Sequence, residues 1–572
     1  MFTPTPMLIR RQRRRTTTLE AICMHECVTP DRWCVTKADL RYLRRQVTEA
    51  IQEGQLPSSC MANDSLASSD SEESEESADE RKFGPSIYEV TEKYIKPVTA
   101  DAGKMSWALM QNPEGLDCHL FVSHAWQEGI FEFLSKVLTS WPSGAHNAWC
   151  CMLANPQHLN IGSMLQSPKT SPFALALQAS RYVLVVPNRH QSVYCRLWCG
   201  YEAYVASENE KIIQIAAAPC WISKSWAFIR AMVPILLGVF IGLLAPSPSW
   251  HIKATVALMG ALATLISAYT ANRWRLLANH VGLVASTYLE SLGEPFGLTG
   301  ASPVMWQQAM HRVTWASAIS YFLMAELDRV HSLQIEQEGR QLRRRYKGSI
   351  QFATCSQQTD QNHIWDEIGG KVSDVDTAIH VLISAGVSSP SLRMAAKRGV
   401  KIEGAGHAEV AVAFVVLGPL LFLCSVQLVG LLRSFEDEAP AFSAFRYFTI
   451  SMASIGLLVR VAFVIMLCLN PVDEKMFLLK VITKLVAAIF VPLALIVGIF
   501  AQSWGFHAIE VVFMCSHFTL VVAFFFSLLG IKGTLALPGG RCMLQYVLAR
   551  QGTCRICQTT SEEVFDSDAS SE

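Results

Sequence analysis

The run RLWCGYEAYVAS (Arg196–Ser207) sets an arginine, a tryptophan, a thiol and a carboxylate on neighbouring turns of one helix-forming stretch. Two other places offer groups of the same reactive kind. HLFVSHAW (119–126) ends in Ser123, His124 and Trp126, and AWCCMLA (148–154) is followed by Asn155, Gln157 and His158. If the strands carrying them are parallel, these residues share the carboxyl rim of a sheet, where open α/β folds hold their ligands. Arg196, Trp198, Cys199 and Glu202 stand on the helix-forming stretch that follows the apolar run at 182–187. The same residues also have a purely structural reading. Trp198 and Cys199 can anchor a helix to the sheet, Arg196 and Glu202 lie six positions apart and do not share a turn, and both histidines can be hydrogen-bonded core groups.

No metal site is expected. CMHECVTPDRWC (23–34) and CRIC (554–557) hold thiols, but neither has a matching second half at zinc-ligand spacing. A second kind of chemistry is intramembrane. Arg460 lies inside FTISMASIGLLVRVAFVIMLCL, where a buried arginine costs at least ~2.5 kcal/mol and calls for a partner. His517 is expected at comparable depth, and Pro492 frees the carbonyl of Ala488 near the same level. Arg460 is therefore either a structural donor or part of an ion channel or transporter path.

The elements that must position the first group alternate between strand and helix. HLFVSHAW reads as a strand, and GIFEFLSKVLTSW (129–141) as a helix with Phe131, Leu134, Val137 and Leu138 on one face. AWCCMLA is a second strand, and SPFALALQAS (171–180) enters a helix through Ser-Pro. YVLVVP (182–187) is continuously apolar, as in a parallel strand covered on both faces, and KIIQIAA (211–217) is a fourth strand. Right-handed crossovers would then connect an open parallel sheet over 118–220.

The rest of the chain is more apolar. Of its 572 residues 51% are hydrophobic and 17% charged, and mean hydropathy is +0.26, which favours a polytopic membrane protein over a soluble one. Zero formal net charge gives no field pointing to nucleic acid. Six stretches have the length and apolarity of spans: 227–245, 252–272, 408–432, 448–469, 478–501 and 508–531. Arg273, Arg275, Arg393, Lys397, Arg398 and Lys401 flank the second and third, and Lys475, Lys480 and Lys484 the fifth. By the positive-inside rule the bilayer is a partner and both termini are cytosolic. The expected order is a largely disordered region 1–110 with the acidic serine-rich linker DSLASSDSEESEESADE, the α/β module, and a membrane hairpin 227–272. A cytosolic helical insert 273–407, a four-helix membrane region 408–531 and a cytosolic tail 532–572 follow. The N-terminus lacks a signal-peptide apolar run, and of the seventeen cysteines Cys424, Cys468 and Cys515 lie inside apolar spans as small packing residues, so the N-terminal part is read as cytosolic and reduced.

Four motifs in order, FVSHAWQE, CMLANPQH, SPFALAL and RLWCGYE, resemble the TIR-like module of algal and protist membrane proteins. More distantly they resemble Toll/interleukin-receptor domains. The resemblance covers about a hundred residues. It implies a multi-pass α-helical membrane protein with a cytosolic flavodoxin-like parallel-sheet domain that signals or scaffolds by association, as a homo-oligomer or with TIR-like partners. Some relatives of that kind cleave NAD with the glutamate of the Trp-Cys-x-x-Glu helix, here Glu202, with NAD as substrate rather than as a held cofactor. A carboxylate suits that bond because cleavage builds an oxocarbenium-like ribose. The resemblance also implies that 349–355 returns to the sheet as a strand and 358–369 packs on it, so that 349–369 completes the module.

Overall fold

The computed structural model describes residues 17–57, 83–158, 167–244, 248–270, 272–292, 304–407, 409–417, 443–470, 472–490 and 506–549. Two units divide the chain: 1–219 with 337–390, and 220–336 with 391–572. The expected 273–407 insert is therefore split. The described residues 273–292, 304–336 and 391–407 belong to the unit of the apolar hairpin, and 337–390 to that of the sheet.

The first unit holds a six-stranded sheet of β1 (Val35–Thr36), β2 (Leu120–Ser123), β3 (Asn147–Cys150), β4 (Tyr182–Val185), β5 (Ile212–Ile215) and β6 (Val387–Ser388), in the order β1-β3-β2-β4-β5-β6. The inner four strands are parallel, with Leu120 opposite both Ala148 and Tyr182. LFVS, the AWC of β3 and the VLV of β4 are buried throughout, as expected of strands covered on both faces. The wholly parallel sheet expected from 118–220 is corrected at its edges. β1 and β6 are two-residue antiparallel strands that occupy the outer hydrogen-bonding groups of β3 and β5.

Three helices make the crossovers. Ile130–Thr139 buries Ile130, Phe133, Leu134 and Val137. Phe131 and Leu138, expected on that face, are only partly buried; Phe131 lies under Arg44 of the helix Lys37–Gln52. Pro172–Ala179 begins as its Ser-Pro entry predicts, with Ser171 Oγ accepting from the Ala174 N–H. Leu197–Glu208 follows β4 through a short 3₁₀ turn.

Residues 17–57 and 83–110 are not disordered as expected. Trp33, Leu40, Leu43, Val47, Ile87 and Trp107 join the same core as the sheet, and Thr17–Glu20, Thr36–Asp39 and Ser86–Glu89 form capping boxes. The acidic linker lies outside the described residues. The expected strand 349–355 is also corrected: Ile350–Phe352 is a 3₁₀ turn, and Thr354 bridges to Arg196 while β6 takes the edge beside β5. The helix Gln358–Ile368 packs on Leu197–Glu208, where the Tyr201 hydroxyl donates to Glu367 at 2.6 Å.

Among the described residues of the second unit, three helices are long and apolar enough to cross a membrane: Ser223–Leu244, His251–Tyr269 and Phe518–Ala536. A shorter apolar stretch, Ser454–Leu469, lies in the helix Ser443–Leu469. The expected spans 408–432 and 478–501 run beyond the described residues. Phe228, Val233, Leu236, Phe240, Leu243 and Leu244 stand exposed along one helix. An apolar surface of that length suits lipid rather than water.

Candidate functional site

Ser123 is the last residue of β2, and Glu202 lies on the second turn of Leu197–Glu208. The Ser123 hydroxyl donates to Glu202 Oε2 in a short hydrogen bond, joining the strand tip to the helix. Both residues are buried. Burial pushes the Glu202 carboxyl up to about 7, against the opposing pull of the Ser123 hydroxyl and the Arg196 charge. A carboxyl titrating near neutrality at a strand rim is the kind of group that acid–base or charge-stabilising chemistry uses.

His124 is enclosed beside it. Its ring lies 4.8 Å from that of Phe133, and Nε2 is 3.1 Å from Cys151 Sγ. Burial, and then the positive charge of Arg196, hold the imidazole down at about 3, so it is neutral at ordinary pH. The neighbouring thiols are equally inert. Burial and then Glu202 push both Cys151 and Cys199 up to about 12, which leaves no thiolate to act as nucleophile or metal ligand. Burial works against the charge of Arg196, but the surrounding thiols, Tyr88 and Glu202 outweigh it and its pKa rises. The Arg196 backbone caps the start of the helix and is tied to Thr354, whose carbonyl accepts from the Leu197 N–H at 2.9 Å.

A segment from the N-terminal part of the chain closes over this rim. The Ile87 and Tyr88 N–H groups donate to the Glu128 and Trp126 carbonyls at 2.9 and 3.2 Å, and the Tyr88 ring lies 5.3 Å from that of Trp126. The rim thus gathers Ser123, His124, Trp126, Arg196, Cys199 and Glu202. Other expected pocket residues are used for structure. Gln157 donates to the Met152 and Asn155 carbonyls of its own loop, and His158 Nε2 is 2.6 Å from the Lys96 carbonyl. Trp198 stacks on Phe173 at 5.6 Å, in an aromatic column that continues through Trp149 to Phe121. Asn155 is buried after β3, and its Oδ1 has no hydrogen-bond partner among the described residues.

Two features escaped the sequence reading. Cys151 belongs to the rim, but a strand-end cysteine amid four apolar residues gave no sign of it. The second is a buried charge cluster on Ile130–Thr139. Lys136 Nζ lies 2.9 Å from Glu132 and 3.2 Å from Glu338, and donates to the Pro187 carbonyl at 2.7 Å and to Gln341 Oε1 at 3.0 Å. Beside it Glu128 is fully buried, and neither carboxyl oxygen has a hydrogen-bond partner among the described residues. Burial raises its pKa well above the usual carboxylate range, against the opposing pull of the Lys136 charge. The signal was Glu132 and Lys136 at i, i+4 inside an otherwise apolar helix. Among the described residues no three His, Cys, Asp or Glu side chains gather as a metal-ligand set.

In the second unit Arg460 is 1% exposed, and its Nη1 donates to the Gly456 carbonyl at 3.0 Å, one turn back in its own helix. The His517 side chain lies outside the described residues. Comparison of the chain with protein-family models, with curated proteins and with solved structures finds no match in any of the three.

Proposed function

We propose that this is a membrane-anchored protein whose α/β unit is a TIR-like signalling or scaffolding module, acting through association with further copies of itself or with TIR-like partners. Three things support the reading. The order β3-β2-β4-β5 of the parallel strands is that of flavodoxin-like sheets. The Trp-Cys-x-x-Glu helix meets the Ser123 strand tip through Glu202. The apolar helices supply an anchor. The observation that carries a binding role over a catalytic one is the enclosure of Glu202. It is 8% exposed, bonded to Ser123, and flanked by two inert thiols and a neutral imidazole. In this state the carboxylate holds the helix to the sheet and sets the shape of the rim that a partner would meet.

One observation favours an alternative reading. A Glu202 carboxyl poised at about 7 next to Arg196 has the chemistry to stabilise an oxocarbenium-like ribose, as NAD-cleaving relatives of the module do. The two readings separate in one experiment. Full-length protein in lipid nanodiscs is incubated with NAD, and nicotinamide release is followed for the wild type and Glu202→Ala. Equal background release, with wild-type protein still self-associating in crosslinking, is the expected result. Release by the wild type that the variant loses would establish the enzyme instead.

A further inference from the structure

We infer that the protein enters the bilayer by two more helices than its hydropathy reveals: Asn272–Ser291, and the part of Val304–Arg343 between Val313 and Ser332, cross the same membrane as the apolar hairpin. The inference rests on register within the second unit.

Consider first where Asn272–Ser291 lies against Ser223–Leu244. A Cβ added to Gly238 would meet Thr287 Oγ1 and the Val284 carbonyl, at 2.0 and 2.6 Å. One added to Gly242 would meet Ser291 Oγ and the Tyr288 carbonyl, at 1.7 and 3.2 Å. A four-residue step along one helix matches a four-residue step along the other in the same direction, so the two run parallel and in contact through a Gly-x-x-x-Gly face. At 1.5 Å of rise per residue, this sets Asn272 level with about residue 224 and Ser291 level with about residue 243. Asn272–Ser291 therefore occupies the same depth as a helix long and apolar enough to cross.

The next two contacts run the opposite way. Gly260 faces Ala285, and the Ser267 hydroxyl donates to Asn279 Oδ1 at 2.7 Å, which makes His251–Tyr269 antiparallel to Asn272–Ser291. A Cβ on Gly282 would meet the Phe322 ring at 2.0 Å, while Asn279 Nδ2 donates to Glu326 Oε2 at 3.3 Å. Val304–Arg343 is thus also antiparallel to Asn272–Ser291, and about residues 313 to 332 of it share that slab.

Hydropathy misses both helices because their polar groups face one another. Asn279, Ser286 and Thr287 are at most 2% exposed, and Thr287 donates to the Leu283 carbonyl of its own helix. Glu326 is bound by Arg329 through bonds of 2.6 and 2.8 Å, and both are buried. Such a helix costs less in lipid when the polar groups of its middle, Asn279, Ser286 and Thr287 on one and Glu326 and Arg329 on the other, are turned inwards; the two apolar helices present most of the lipid-facing surface. The Ser267–Asn279–Glu326–Arg329 string then lies inside the bilayer. The Ser291 end of Asn272–Ser291, expected on the cytosolic side within the 273–407 insert, then lies on the same side as the Leu244 end of Ser223–Leu244.

Sidedness tests this. Sealed vesicles are prepared in which trypsin reaches the exposed run Arg343–Lys347, and a glutamyl endopeptidase is added, with fragments read by mass spectrometry. Cleavage after Glu294 is expected only once the vesicles are opened; cleavage in sealed vesicles overturns the inference. A short epitope inserted after Gly297 gives a second readout. It should be reached by antibody only in opened vesicles, as should the same epitope after Ser247. An epitope after Gly297 reached in sealed vesicles, or one after Ser247 reached there, overturns the two added spans, the latter because the hairpin itself would not cross.

Discussion

The sheet rim of the first unit and the polar string of the second bury ionisable groups in opposite ways. At the rim, burial raises Glu202 to about 7 and lowers His124 to about 3, although Arg196 keeps its charge, and in the neighbouring Lys136 cluster burial pushes Glu128 well above its ordinary range. In the second unit two buried carboxylates are matched in charge instead, Glu326 with Arg329 and Glu409 with Lys480 at 3.2 Å. A lone buried charge is relieved most cheaply by moving a proton, whereas a paired one keeps its charge and depends on its partner. The first kind of site responds to pH and the second to mutation. Lys136 shows that the first unit also contains the second kind.

The largest effect expected is at a paired charge. Arg329→Leu leaves Glu326 buried without its counter-charge, with only the Asn279 amide still donating to it, and should cost about 3–5 kcal/mol, measured as thermal unfolding of the purified full chain. Changing both residues to apolar ones, Glu326→Leu with Arg329→Leu, should recover a large part of that loss; a double variant as unstable as the single one would show that the pair is not the unit of stabilisation.

Glu202→Gln should act in the other direction. The folded carboxyl titrates above its unfolded value, so the folded state binds more protons between the two, and stability falls as pH rises from about 4.5 through about 7. His124 works oppositely: its folded pKa is depressed, so stability falls as pH drops below about 6.5 towards about 3. The glutamine variant should therefore gain up to about 3 kcal/mol at pH 8 and nothing at pH 4, and lose the alkaline limb of the profile while keeping the acid one. An unchanged alkaline limb would mean that Glu202 is not the group held up by burial.

A smaller effect is expected from packing. Gly282→Ala drives a methyl group into the Phe322 ring and should cost about 1–2 kcal/mol, less than loss of the charge pair, because the ring can shift. A neutral result in thermal unfolding would place the two helices further apart than they stand here. Least of all, Trp126→Phe should cost about 1 kcal/mol in the same measurement, since the indole's hydrogen bond to Cys151 is lost while the backbone carbonyl that receives the Tyr88 N–H is retained.

Much of the inner sheet was legible because strands buried on both faces advertise themselves as unbroken apolar runs, as LFVS and YVLV do. The edge strands were not. Two residues carry no period, and Val35–Thr36 and Val387–Ser388 become strands only because a sheet edge is there to bind them. The N-terminal region was misjudged because the acidic linker dominates its composition, although Leu40, Leu43, Val47 and Ala50 follow a helical spacing and are all buried. At the site, Ser123 was found from its strand-end position and Glu202 from the resemblance of its Trp-Cys-x-x-Glu stretch, whereas Gln157 and His158 were as well placed as Ser123 and are used by their own loop and by Lys96. Position along an element says which end a residue reaches; it does not say which neighbour claims it first.

The order of residues by itself determined that there is an alternating α/β unit, that there are helices apolar enough for a membrane, and that a helix enters at Ser171–Pro172, because these depend on periodicity and on contacts within a few residues. Only the tertiary structure decided which buried groups give up their charge and which keep it. That depends on whether a partner distant in sequence arrives within hydrogen-bonding distance, as Glu338 does for Lys136 and Ser123 for Glu202. No local pattern encodes that arrival.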